Sequence, residues 1–578
     1  MRRQALTAVL CLGTIIFPAI AVHAKKKSPD SAETARFFSR QLSKDQKIHQ
    51  ALNRLTFGPR PGDAERLRST GLKKWIDAQL HPDSIPENPL VIDKLKTFDT
   101  LQMSTAELVQ NYPTPQMVKQ MVNGQLPFPS DPVRRKMIER LVAKAETKQG
   151  DAAKANFPDP PELREVLTPQ QIRTLRTGTA RERMAAFQSL PSYKQDEVVA
   201  ALPPGIRQAL IPAASPELRR RLELAEGPRE VVARDLMQAK LLRAIYTNRQ
   251  LQEVLVDFWF NHFNVYLDKG QDRYLITAYE REAIRPYVLG KFRDMLEATA
   301  KSPAMLFYLD NWQSVAPEAA TARPGAKNRR GLNENYGREL LELHTLGVDG
   351  GYTQKDVTEV ARCFTGWTIA QPQRGGGFSF NARLHDQGEK TVLGVTIPAG
   401  GGIEDGEKVL DIVAHHPSTA HWVSRQLAQR FVADDPPASL VDHMADTFLK
   451  SNGDIREVLK TMLNSKEFWS EGAYRSKMKS PFEMVVSAVR AVNGDVDFAL
   501  PLANQVAQLG EPLYRKQEPT GYSNSSKEWL NSAGLLARMN FALQLANGNM
   551  QGVKVDPVQA SKPDASGIAL GSPDFQKH

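Results

Sequence analysis

A mainly α-helical, multi-helix body carrying a small β-hairpin flap and a proline-punctuated helical insertion is the fold that the sequence predicts. Three observations predict it. Apolar residues recur at helical spacing over most of the 578 residues. Prolines stand at the head of successive leucine-striped segments between 100 and 225. Strand-like runs are clear only at 375–403, where glycine clusters bracket them. A chain this long exceeds one small core and has room for several units of roughly 100–200 residues each.

The elements follow in order. Residues 1–24 read as a secretory signal peptide: Arg2 and Arg3 form a basic start, Ala5 to Val22 an apolar stretch, and "VHA" precedes a cut after Ala24. Pro18 inside that stretch and "AKKK" directly after it favour cleavage over a retained anchor. The expected location is secreted or periplasmic, and no other apolar run approaches membrane-spanning length. Cys11 would leave with the signal, so Cys363 remains without a partner for a disulfide and reads as a buried, inert thiol. Residues 25–44 are polar and lysine-rich, a mobile leader. Residues 45–99 read as the N-terminal helical segment of the body, in which 48–82 forms two short helices and a connector, punctuated by "GPRPG" and Gly71.

Residues 100–225 are charged and nearly free of aromatics. Pro161, Pro169, Pro191, Pro203 and Pro216 each mark a helix start, so the stretch reads as a string of short helices or an exposed linker. Residues 226–374 form a central helical core, because "EVLVDFWFNHFNVYL" has too many large apolar residues to leave one face wet. The flap occupies 375–403, helices resume over 404–548, and 549–578 reads as a disordered tail.

The formal charge of +10 includes Arg2 and Arg3, and the basic residues are interspersed with acidic ones. No basic stripe studded with aromatics appears, which excludes nucleic acid as a partner. Weak attraction to anionic envelope polymers fits this balance. The chain has no Gly-x-Ser-x-Gly elbow, P-loop, dinucleotide fingerprint or His-Glu-x-x-His. His415, His416 and His421 in "HHPSTAH" mark a helix start capped by Ser418 or Thr419, in preference to a metal set. No metal site is assigned, and any cofactor is left open.

Six segments, "LNRLTFGPRPGD", "FWFNHFNV", "LDNWQS", "NENYGRELLELHTLGVDGGYTQKDVTEVARCFTGW", "HPSTAHWVSRQLAQRFVADDPP" and "GDIREVLKTMLNSKEFW", together resemble the bacterial family known as domain of unknown function 1800. The resemblance leaves out the insertion and both ends. It implies a secreted or envelope protein, with a sulfatase-like or phosphatase-like neighbouring family as the source of a protein partner. No settled activity comes with it, so the chemistry rests on residues.

The densest polar patch is "GLNENYGRELLELHTLGVDGG", Gly331 to Gly351. At about 100° per residue, Asn335, Glu339 and Glu342 fall within about 60° of arc, with Arg338 and Glu334 beside them. One reading is a ladder of ion pairs on a wet face. The other, adopted here, places the arc in a cleft shared with His262, where Arg338 matches only one glutamate and the other acts as a general acid. Glu339, Glu342, His262, Asp310 and Arg338 are then the catalytic candidates. Asn335, Asn261, Trp312, His385 and Asp386 are the substrate-binding ones. Among these, Trp312 beside Asp310 and Asn311 suits a sugar, and His385–Asp386 sit on the flap as a lid. Near the C-terminus, "GYSNSSKEW" reads as a loop on the rim of a cleft or as a plain helix cap.

The expected function is a secreted hydrolase using carboxylate acid/base chemistry, glycosidase-like, on polysaccharide or another envelope or environmental polymer. The alternative is a non-catalytic envelope or assembly protein whose polar cluster is a buried structural network.

Overall fold

The computed structural model describes residues 36–132, 134–136, 138, 139, 142, 162–319, 331–556 and 566–578. The signal-peptide expectation falls outside them. The fold is mainly α, with three two-stranded antiparallel sheets among the described residues. No described helix is long and apolar enough to cross a membrane.

Local sequence explains the helix boundaries. Ser43 and Gln46 form a capping box at Lys44–Arg54, and Gly62 and Gly71, both at positive φ, separate two more helices, Asp63–Thr70 and Leu72–Leu80. The stretch 48–82 therefore draws on three helices where two were expected, because Gly71 ends one and starts the next. In the insertion, Pro169 and Pro216 occupy first turns, while Pro191 and Pro203 stand one residue ahead of theirs. Pro161 lies outside the described residues. These helices bury cores of their own. Leu175, Phe187, Val198 and Leu222 form one, and Leu108, Tyr112 and Met121 another that extends to Val231 and Tyr274 of the body.

The main core is contiguous from Phe38 to Leu570 and packs Trp259, Phe263, Phe292, Phe364 and Trp367 at its centre. Cys363 is buried in it, and burial pushes its thiol up to about 12, which keeps it inert.

Three expectations are corrected. The leader is not free throughout: Phe38 is buried, and Leu42 donates its N–H to the Trp469 carbonyl at 2.9 Å. The tail is not disordered where it is described. β6 (Val553–Lys554) pairs with β5 (Asp495–Val496), and Met478 bridges to Lys577 beside the buried side chains of Gln576 and His578. The flap is not one hairpin. β2 (Phe378–Phe380) pairs back onto β1 (Trp367–Ile369), and β3 (Lys390–Val392) pairs separately with β4 (Val395–Ile397). Leu393 and Gly394, both at positive φ, make the tight turn of the second ribbon.

Candidate functional site

The polar arc is shaped by a change of helix type that a helical wheel does not foresee. Asn335–Glu339 is α-helical, but Leu340–Thr345 is a π-helix, and Leu346 donates its N–H five residues back to the Leu341 carbonyl at 2.9 Å. The widened turn cancels the even spacing on which the arc was drawn. Asn335 is exposed. Arg338, with 41% of its side chain exposed, meets Glu334 at 3.6 Å and donates to Gln354 at 3.0 Å. Glu334 also accepts from Gln354 and Thr358 at 2.8 Å each. This part of the arc is the wet ladder. Glu339 is half-buried, and its carboxyl is raised by burial first and by Glu342 second, against Arg338. Glu342 accepts from the Tyr352 hydroxyl at 3.4 Å.

His262 does not pair with these carboxylates. Its Nε2 faces the His344 carbonyl at 3.0 Å, and burial pushes the ring down to about 4, so it is neutral near pH 7. Asp310 is ion-paired to Lys269 at 2.8 Å. Trp312 is half-buried and stacks on Phe307 with ring centroids 5.6 Å apart, so it is no open sugar platform. His385 and Asp386 are buried, not carried on a lid. Arg362 forks onto Asp386 at 2.8 and 3.0 Å, while Asp405 takes His385 at 3.1 Å and Lys390 at 2.8 Å.

Asn261 and Asn264 have a positioning role. The Asn261 amide donates to the Tyr522 carbonyl at 2.7 Å and accepts from the Tyr522 N–H at 2.6 Å, imitating a strand pair. Asn264 donates to the carbonyls of Lys516 and Glu518 at 3.0 and 2.9 Å. Both clamp the 516–522 loop onto the end of the Gln250–His262 helix. Gly521 is required there: its φ is +68°, and a Cβ would stand 2.2 Å from the Asn261 carbonyl oxygen.

Under this clamped loop lies a cleft of about 60 Å³, room for about two waters. Its walls come from the Pro228–Tyr246, Gln250–His262, Pro417–Phe431 and Pro481–Ala491 helices and from the 511–529 segment. On one wall, Lys240 meets Asp257 at 2.6 Å and sits among the rings of Phe260, Phe482 and Tyr514 at 5.8, 5.1 and 5.1 Å. Burial pulls this ammonium down, but Asp257 and Glu280 outweigh it and the net shift is upward. On the other wall, Arg430 is paired with Glu483, and Lys477 bridges Asp434 and the Asn524 carbonyl at 2.6 Å each. Burial lowers Lys477 to about 8 against the pull of Asp434.

Glu511 is the exception. It is 8% exposed and has no ion pair among the described residues. Its carboxylate accepts from the Phe482 N–H at 2.8 Å, and burial, with Asp257 and Glu483 adding to it, lifts its pKa to about 7. A carboxyl in that range exists in both protonation states near neutrality and is suited to moving a proton. Among the described residues no cluster of His, Cys, Asp and Glu is arranged to hold a metal ion.

Sequence reasoning missed Glu511, Lys240, Arg430 and Lys477. A signal was present in "DLMQAKLLRAIY", where Lys240 stands between the apolar residues Ala239 and Leu241, and in the loop that "GYSNSSKEW" continues.

Fold and cleft together define a helical protein with a buried, charge-lined site. The chain belongs to the family described as protein of unknown function (DUF1800), which it matches over residues 50–572. No curated protein and no solved structure matches it.

Proposed function

We propose that the protein is an exported hydrolase whose acid/base chemistry takes place in this cleft, with Glu511 as the proton-transferring group. The observation that carries the reading is the contrast within the site: among the described residues Glu511 is the one lining carboxylate that makes no ion pair, and its pKa is lifted to about 7. Glu511 would take a proton from a water held in the cleft and return it to the leaving group. Arg430 and Lys477, which also line the cleft, favour the negative oxygen that develops at the bond being cut. Asp257, paired with Lys240, supplies the second carboxylate that a glycosidase mechanism needs. With room for about two waters, the cleft suits attack on the edge of a larger substrate, such as an envelope or environmental polysaccharide lying across its mouth.

The second reading, a non-catalytic envelope or assembly protein, draws on the completeness of the other pairs: Arg430 with Glu483, Lys477 with Asp434, and Lys240 with Asp257. Turnover of bacterial envelope glycans and of simple ester and glycoside substrates by wild type and Glu511→Gln separates the two. Activity that rises or falls through about pH 7 and disappears in the variant supports the hydrolase. Activity unchanged in the variant, or no turnover of any substrate, favours the second reading.

A further inference from the structure

A second, larger cleft of about 330 Å³ lies where the Pro216–Glu226 helix packs on the Pro228–Tyr246 helix, beside Pro89–Leu95. Leu90, Asp93 and Thr97 are exposed at its mouth, and Phe98, Leu242 and Ala499 make its apolar wall.

Its polar groups divide into two kinds. The cations are already engaged. Lys94 donates to Asp495 at 2.9 Å and to the Val496 carbonyl at 2.7 Å. Arg219 serves the carbonyls of Ile211, Ala214 and Asp497 and stacks over Phe498 at 4.2 Å. Arg220 is held by Asp99 and Asp235, and Arg234, behind the wall, by Glu226. Two lining side chains, Glu223 and Gln238, are each 3% exposed and make no hydrogen bond among the described residues. Glu223 Oε1 is fully buried without a partner. A buried oxygen left in that state is destabilising unless something donates to it.

We propose that this cleft binds a small organic ammonium ion, which packs its apolar body against Phe98 and Leu242 and donates its N–H groups to the Glu223 carboxylate and the Gln238 carbonyl. Among the described residues every lining cation is already hydrogen-bonded or ion-paired, whereas Glu223 and Gln238 offer acceptors that are not. Burial, with Asp235 adding to it, lifts Glu223 to about 7 against the pull of Arg234, Arg220 and Arg219, so the site gains its negative charge as the pH rises through neutrality.

Calorimetric titration of the full chain with benzylamine, benzyl alcohol and benzoate at pH 6 and pH 8 tests the proposal. Benzylammonium is expected to bind, several-fold more tightly at pH 8 than at pH 6, and benzoate not to bind. Glu223→Gln should weaken benzylamine at least ten-fold and flatten its pH dependence. Thr97→Trp, placed on the exposed rim, should block access without altering the interior, and it decides the matter if the first variant fails to fold. Benzoate binding as tightly as benzylamine, benzylamine binding insensitive to the variants, or no binding of benzylamine would each overturn the proposal.

Discussion

Two clusters of buried charge lie in the same helical body and differ in one respect. Under the β-ribbons, Arg362, Asp386, Lys390, Asp405 and His385 are matched group for group, and Lys390 donates to Asp405 and to the carbonyls of Asp386 and Gly388. In the cleft under the 516–522 loop, three pairs are matched and Glu511 is left over. Density of buried charge therefore does not mark chemistry. A matched network holds the chain in one arrangement, whereas an unmatched carboxyl carries a raised pKa and a proton that can be moved.

The comparison breaks most visibly if the ribbon network is not matched. Lys390→Met removes a buried ammonium and leaves Asp405 short of a partner, so a loss of about 3–5 kcal/mol is expected in urea unfolding. A loss below about 1 kcal/mol would mean that the network is slack.

Glu511→Gln should act in the opposite direction. The folded-state pKa of about 7 lies above the ordinary 4.5, so the fold favours the protonated carboxyl. That contribution is full below about pH 4.5 and is lost as the pH rises through about 7. At pH 8 wild type therefore carries a buried charge costing about 3 kcal/mol, which glutamine avoids. The variant should melt higher than wild type at pH 8 and equally at pH 4. Equal melting at both values would place Glu511 among the matched groups.

Gly521→Ala sharpens the role of the clamp. The positive φ and the collision with Asn261 should cost about 1–3 kcal/mol and lower protection from hydrogen exchange in the 516–524 loop before the rest of the fold. The smallest effect belongs to the half-wet ladder. Arg338→Ala should change stability by less than about 1 kcal/mol, and that difference should shrink as salt is added.

Much of the fold is legible in particular residues. The prolines at 169, 203 and 216 mark helix starts through fixed φ. The aromatic run at 258–263 marks the centre of the core. The candidate site was less legible. The arc of Asn335, Glu339 and Glu342 was drawn on an α-helical wheel, but the helix widens at Leu340, and no side chain in "RELLELHT" announces a π turn. Asn261 reads as a substrate-binding candidate, but the loop that occupies it and Asn264 is distant in the chain.

The sequence by itself determined the mainly helical class, the family and the start of many helices, because periodicity, capping and proline geometry act over a few residues. Only the tertiary structure decided which charges are matched. Lys240, Asp257, Arg430 and Glu511 come from four separate segments, and whether a buried carboxylate meets a cation depends on distances of a few ångströms between them. Local pattern holds no record of those distances, and burial converts them into the pKa that separates Glu511 from its neighbours.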